Sequence, residues 1–282
     1  MTISPYALSI NGATCQVYRD APSWGGWKTA SVGGFRCDSA AHGEALLARA
    51  GEMLRAEGFE ALIGPMDGDT WHSYRLVAES DGSAPFLMEP VSGPHDRAAF
   101  EASGFMPISS YVSTRAPLDD AVGTAAEVRL NEVDVTQWDG RDAGLLIGGM
   151  FDMSAASFSK NAFFKPIAKS EFLKLYEPML QLIDPRLVLF ARDENGLVGF
   201  LFGLPNLLEG GAPKTAIVKT YASARRGVGH LLLDRFHRTA RDLGFGSVIH
   251  ALMHVDNISL ERSGRHAGRI FRRYALMGKL LP

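Results

Sequence analysis

Thr215 to Phe245, TAIVKTYASARRGVGHLLLDRFHRTARDLGF, constrains this chain more than any other stretch. Its β-branched start, TAIVKTY, suits a strand. A turn holding Arg225, Arg226, Gly227, Val228, Gly229 and His230 follows, and an amphipathic helix begins at once. The helix places Val228, Leu231, Leu232, Phe236, Ala240 and Leu243 three and four residues apart, with Asp234, Arg235, Arg238 and Arg241 on the other face. The turn has a chemistry of its own. Glycines accept positive φ and let a ligand approach the backbone. The first amides of a helix lack internal partners and, with the helix dipole, attract an anion. Two arginines add charge, so a pyrophosphate is the natural guest. A plain helix start with packing glycines is the other reading.

Around this unit the pattern is that of a mixed sheet. Strands are expected at Val128–Leu130, Leu187–Arg192, Leu197–Leu204, Thr215–Tyr221, Ser247–Met253 and Arg269–Met277. Helices are expected at Trp138–Met153, at Lys169–Leu182 with a break at Pro178, and at Gly227–Leu243. Asn195-Gly196 in DENG favours a hairpin between the second and third strands. Two antiparallel strands followed by a strand–helix–strand crossover make the fold class α/β, with an α+β mixed sheet.

Ala116–Glu127, APLDDAVGTAAE, is small, polar and without an apolar period. It reads as a linker at 116–127 dividing a first unit, 1–115, from a second, 128–282. The two units resemble each other. A helical run over Ala41–Glu57, Gly58 and a strand-like ALIGPM stand in the first; a helix, Gly244 and SVIHALM stand in the second. Gly58 and Gly244 each suit the left-handed residue that ends a helix. Phe100–Thr114 and Arg265–Lys279 both read as short helix, glycine, strand.

Composition removes several functions. With 29 basic and 31 acidic residues the net charge is −2, which argues against a nucleic-acid partner. Cys15 and Cys37 stand in no CxxC or Cys/His spacing, so no metal is expected, and two scattered thiols suit a reducing cytoplasm. No signal peptide and no apolar run long enough to span a bilayer is present, so no membrane partner is expected.

The strand–RRGVGH–helix unit resembles the pyrophosphate loop of the GNAT N-acetyltransferase superfamily, whose motif is Q/R-x-x-G-x-G/A. Gly227 and Gly229 match its small positions, while Ala224 stands at the Gln/Arg position. HALMHVDNISLERS resembles the family's next strand and Asn-bearing helix start, with Asn257 at the Asn, and AGRIFRRYALMGKLL resembles its closing strand. The resemblance covers Glu127–Pro282 well. It covers Met1–Thr114 as a degraded copy whose loop, Asp38–Glu44, has one glycine and no arginine. It therefore implies two GNAT-like domains, of which the C-terminal one is complete and the N-terminal one binds no coenzyme A.

The resemblance also implies a site. Acetyl-CoA or another acyl-CoA would be the donor substrate, with its pyrophosphate on Arg225, Arg226, Gly227, Val228, Gly229 and His230, and with Asn257 nearby. Its pantetheine arm would lie between splayed strands along Val218, Thr220 and Tyr221. An amine-type small molecule would attack the thioester directly. The family's acid, often a Tyr seven residues after the Asn, falls on Gly264 here. Tyr221 and Tyr274 are substitutes. His254 is a candidate base, and His250, four residues earlier on a strand, is expected on the same face. Lys219 is placed to neutralise substrate or cofactor charge. Phe151 and Phe158, in a Met- and Phe-rich segment, are candidate walls of the acceptor pocket. A coenzyme A-binding protein without turnover and an aminoacyl transferase of related fold are the alternatives, and a homodimer stays open.

Overall fold

Strand, glycine turn and helix all form where the pattern places them in the computed structural model, which describes residues 4–123 and 127–282 and every side chain among them but that of Leu145. The chain runs through β1 (Tyr6–Ile10), β2 (Ala13–Tyr18), β3 (Thr29–Cys37), α1 (Ala40–Ala56), β4 (Ala61–Gly64), β5 (Leu76–Ser80), α2 (Asp96–Ala102), β6 (Met106–Pro117) and α3 (Leu118–Val122). It continues through β7 (Asp134–Gln137), α4 (Ala143–Phe158), α5 (Lys169–Tyr176), β8 (Val188–Asp193), β9 (Gly196–Pro205), β10 (Thr215–Ser223), α6 (Val228–Asp242), β11 (Ser247–His254), α7 (Ile258–Arg265) and β12 (Arg269–Leu280). The apolar stripe of α6 is buried against Leu189, Leu201, Val218 and Val248 of the sheet. Each large side chain so buried contributes about 1.5–3 kcal/mol. No described helix is long and apolar enough to cross a membrane.

Two expectations change. Residues 127–130 form no strand; the first strand after the expected linker is β7, paired with β8. The Val128 amide is taken by Asp234 of α6 at 3.1 Å, and Leu130 packs over the turn at Gly227, so neither is free for a ladder. Within 116–127, residues 124–126 lie outside the described residues. Ala116 and Pro117 end β6, and Leu118, Ala121 and Val122 of α3 are buried. Their spacing is a short helical period that the small, acidic composition of the segment hides.

One twelve-stranded mixed sheet runs β1-β2-β3-β4-β12-β6-β11-β10-β9-β8-β7, with β5 also on β12. The closing strands are exchanged: β12 lies against β4, and β6 lies against β11. β6 and β12 pair antiparallel at the centre, with Tyr111 opposite Tyr274. The two strand–helix–strand units are copies in register. Thr29 pairs with Ala61 and Thr215 with Ser247, in parallel, and one constant shift in sequence relates both pairs, Gly43 to Gly229, and Gly58 to Gly244. Gly58 and Gly244 hold φ of 76° and 89°.

Since β4 depends on β12 for one edge, residues 1–123 expressed alone are expected to be insoluble or poorly folded, and co-expression with residues 127–282 is expected to restore a soluble complex. Co-purification and circular dichroism of the separate and joint fragments check this; a monomeric, cooperatively folded 1–123 would contradict the exchange.

Candidate functional site

The turn after β10 is built to expose amides. Gly227 precedes α6 with φ 87° and gives no side-chain cap. An L-residue pays about 1–2 kcal/mol in that region. Ala224 N–H donates to Val198 O, Val228 N–H to Arg225 O, and His230 N–H to Gly227 O. The amides of Arg225, Arg226, Gly227 and Gly229 have no protein acceptor among the described residues. The expected basic pair divides. Arg225 is held by Asp193 at 3.2 Å, whereas Arg226 is exposed and without an ion pair among the described residues. A second cation comes from α7: Arg262, whose guanidinium would lie 2.4 Å from a Cβ added at Gly229. Burial first, then the charges of Arg262, Arg265 and His266, lower the pKa of His230. The helix start is thus electropositive.

Beyond the turn, β10 and β11 part. Their ladder ends at Val218↔His250, although β10 continues to Ser223 and β11 to His254. A bulge at Lys219 and an irregularity between His250 and Met253, with Leu252 at φ 58°, open the strands. Past that point the facing edges have no partner across the gap.

The N-terminal copy supplies an internal comparison. Around Gly43 stand Ala99, Cys37 and Phe35; at the corresponding places around Gly229 stand Arg262, Ser223 and, on the same strand, Tyr221. In the first copy Phe35 and Phe100 pack ring to ring at 5.0 Å and the space is apolar core. In the second, the Tyr221 hydroxyl and Arg262 Nε are buried side by side, the guanidinium acting on the hydroxyl. Sequence reasoning missed Arg262; the signal available was its alignment with Ala99 in the repeat.

The histidines separate. His250 faces α6 and α7, meeting Ser263 at 2.6 Å, Thr114, and His237 at 2.9 Å, and burial drives its pKa far down. His254 meets Ser109 at 3.1 Å and accepts the Asp256 amide on Nδ1. Thr114 and Ser109 lie on opposite faces of β6, so the expectation that His250 and His254 share a face is wrong. The bulge at Leu252 reverses the alternation. Among the described residues no group of His, Cys, Asp or Glu is arranged to hold a metal.

On the face carrying His254 lies a buried polar layer under residues 81–92. Glu89 accepts from Arg272 Nη1 at 2.5 Å and from the Tyr274 hydroxyl, which also meets Ser113 at 3.0 Å. Lys219 enters the same layer; burial, then the charge of Arg75, lower its pKa to about 7. Asn257 caps α7 by accepting from Ser259 N at 2.9 Å. A cavity of about 350 Å³ is lined by Gly149, Asp152, Met153, Ala156 and Ser157 of α4, by Leu197, and by Ala224 of the turn. Phe151 instead stacks on Phe172 at 5.4 Å, and Phe158 is partly buried in the same cluster. Trp71 closes this region, stacking on Phe164 and Phe172 and donating to Lys165 O at 2.8 Å.

No protein-family model matches the chain, and no curated protein is similar to it in sequence. Solved structures are similar in fold. A GCN5-related N-acetyltransferase from Sphaerobacter thermophilus superposes with a TM-score of 0.58 at 14% identity, over 96% of this chain and 77% of its own. A tandem GNAT protein from the clavulanic acid biosynthesis pathway gives 0.58 at 16%, over 96% and 79%. A glucosamine N-acetyltransferase region of a fungal multi-domain enzyme gives 0.56 at 12%, over 95% and 31%. The fold of this chain is the two-domain GNAT fold.

The folded state holds Lys219 below its ordinary 10.5, at about 7, so between those values the native chain binds fewer protons than the unfolded one. Stability then rises with pH across this window. Wild-type stability relative to Lys219→Met is expected to climb from pH 7 to pH 10 in urea unfolding; parallel curves would mean that the ammonium is solvated.

Proposed function

We propose that this GNAT fold works as an acyltransferase, moving an acetyl or other acyl group from an acyl-CoA to the amine of a small-molecule acceptor. The carrying observation is the set of unpartnered amides at Arg225, Arg226, Gly227 and Gly229, flanked by Arg226 and Arg262. A diphosphate fits such donors, since main-chain N–H groups, the dipole of α6 and two guanidiniums act on one anion. We read the chain as units 1–115 and 128–282, the segment 116–127 between them holding the end of β6 and α3, with the donor held by the second. The first has apolar side chains where the second has buried polar atoms.

The acyl-CoA supplies the activated thioester; the chain's residues supply position and protons. The edge of β10 at Val218, Thr220 and Tyr221, left without a ladder, takes an amide-bearing pantetheine arm in place of a strand. A main-chain N–H on this edge holds the carbonyl oxygen as charge develops. Holding acceptor amine and thioester together provides much of the acceleration. Tyr221 is the proton donor to the departing thiolate. Burial raises its pKa, so it stays protonated at neutral pH, and the Arg262 guanidinium is the polar group beside its hydroxyl. Tyr274 is committed to Glu89 and Ser113 and supports the layer beneath. His254, with Nδ1 taken by Asp256 N–H, is held with its Nε2 proton toward Ser109 and orients that end of β11. The cavity beside α4 receives the acceptor, with Met153 and Ala156 as its apolar wall. A second reading, a coenzyme A-binding protein without turnover, is favoured by Gly264 at the family's acid position.

Gly227→Val forces a β-branched residue into φ 87° with Leu130 3.3 Å from its Cβ, and is expected to weaken coenzyme A binding at least ten-fold in calorimetry. Unchanged affinity would remove the site. Tyr221→Phe is expected to lower thiol release with an amine panel by about 100-fold while sparing coenzyme A affinity. Wild-type binding without thiol release from any amine would favour the second reading.

A further inference from the structure

Arg75 is a buried cation that no carboxylate neutralises. It is 6% exposed, and no Asp or Glu lies at ion-pair distance among the described residues. Its Nη1 donates to Leu252 O at 3.1 Å, and its Nε has no partner. Its Cζ sits 3.8 Å from the ring centroid of Tyr74 and 3.9 Å from that of Tyr111. Such contacts offset part of the charge and leave N–H donors unused. Arg75 has φ 72° and Leu252 φ 58°, so both ends of this bond sit in a region that side chains avoid.

Lys219 is the second cation of the layer. Its Nζ donates to Met88 O at 3.3 Å, and it has no ion pair among the described residues. Glu89, which shares the layer, is saturated by Arg272, Tyr274 and the Phe86 amide at 3.2 Å. Arg272 thus has its ion-pair partner, while Arg75 and Lys219, close enough to act on each other electrostatically, have none at ion-pair distance among the described residues. A buried guanidinium beside a half-buried ammonium is costly unless an anion comes between them. Both stand where the β10–β11 ladder fails: Lys219 is the bulged residue of β10, and Arg75 is tied to the irregular residue of β11.

Resting on the acyl-transfer reading, we propose that Arg75 and Lys219 form a carboxylate-binding pair at the closed end of the β10–β11 gap, receiving either the carboxylate of the amine acceptor or the terminal carboxylate of a dicarboxylic acyl chain. A guanidinium fork matches the two oxygens of a carboxylate, and the ammonium adds a point charge.

Calorimetric titration tests the pair with two matched sets of probes. Succinyl-CoA against butyryl-CoA exchanges a carboxylate for a methyl on the acyl side. L-phenylalanine against phenethylamine does so on the acceptor side, with and without coenzyme A. Wild-type protein is expected to prefer the carboxylate in one set by about 10- to 100-fold. Arg75→Met and, separately, Lys219→Met are expected to reduce that ratio by about ten-fold or more, and Arg75→Lys to keep part of it. Thermal melts establish that each variant is folded, and if Arg75→Met is not, Lys219→Met carries the test. A wild-type ratio near one in both sets, or a ratio unchanged in a folded Met variant, overturns the pair. If no coenzyme A thioester binds while L-phenylalanine still exceeds phenethylamine, the acyl-CoA reading falls and the carboxylate pair stands.

Discussion

Antiparallel pairing of β6 with β12 is the interaction on which the rest of the molecule depends. Each strand closes the half that the other strand's own segment began, and Tyr111 and Tyr274 meet at the crossing point. A strand with one face buried has a strongly set register, because a slip of one residue turns every side chain over. Pairing at this seam therefore fixes where Thr114 meets His250 on one face, and where Ser113 meets Tyr274 and the Leu252 amide on the other. It also makes a gap between β10 and β11 tolerable, since β11 is held along its other edge by β6.

Duplication followed by divergence explains how one sheet carries two strand–helix–strand units in register with different surroundings. In the N-terminal copy the ladder of β3 and β4 ends after Ser31↔Ile63, but β3 stays bonded to the following segment through Met66 N–H to Val32 O at 2.7 Å and Gly34 N–H to Asp67 Oδ1 at 2.7 Å. There Phe100 lies 3.2 Å from a Cβ added at Gly64, and aromatic packing seals the opening. In the C-terminal copy His250 stands at the place of Gly64 and Ser263 at the place of Phe100, and the pair is hydrogen-bonded. A dry aromatic plug gains dispersion and hydrophobic free energy. A polar lining forfeits that and leaves Arg262 Nε unsatisfied, at about 1–3 kcal/mol. The C-terminal half bears a stability cost that the N-terminal half avoids.

The buried layer under residues 81–92 extends this asymmetry across the seam. Arg75 and Glu89 come from the first half, Lys219 and Arg272 from the second, and Phe86 fills the apolar space beside Ile217, Ile249 and Ala251. Contacts around Trp71 and Lys165 join the halves again beside α4. The gap, its charged floor and the aromatic wall beside α4 are thus shared products of both halves.

The sequence by itself determined the local units. Hydrophobic period, the turn glycines and Asn195-Gly196 were sufficient for α6, the β8–β9 hairpin, the β10–α6–β11 crossover and the turn with its exposed amides, because these follow from interactions within about thirty residues. The repeat was legible through Gly58 and Gly244. Hidden from local reading were the exchange of β6 and β12, the bulge that sends His250 and His254 to opposite faces, the capture of Arg225 by Asp193, and the placing of Arg75 and Lys219 in one polar layer. Pairing register and buried charge depend on residues up to nearly two hundred positions apart, as between Arg272 and Glu89. No window of sequence contains both members of such a contact, so only the tertiary structure decided which cations were neutralised and which were left facing the gap.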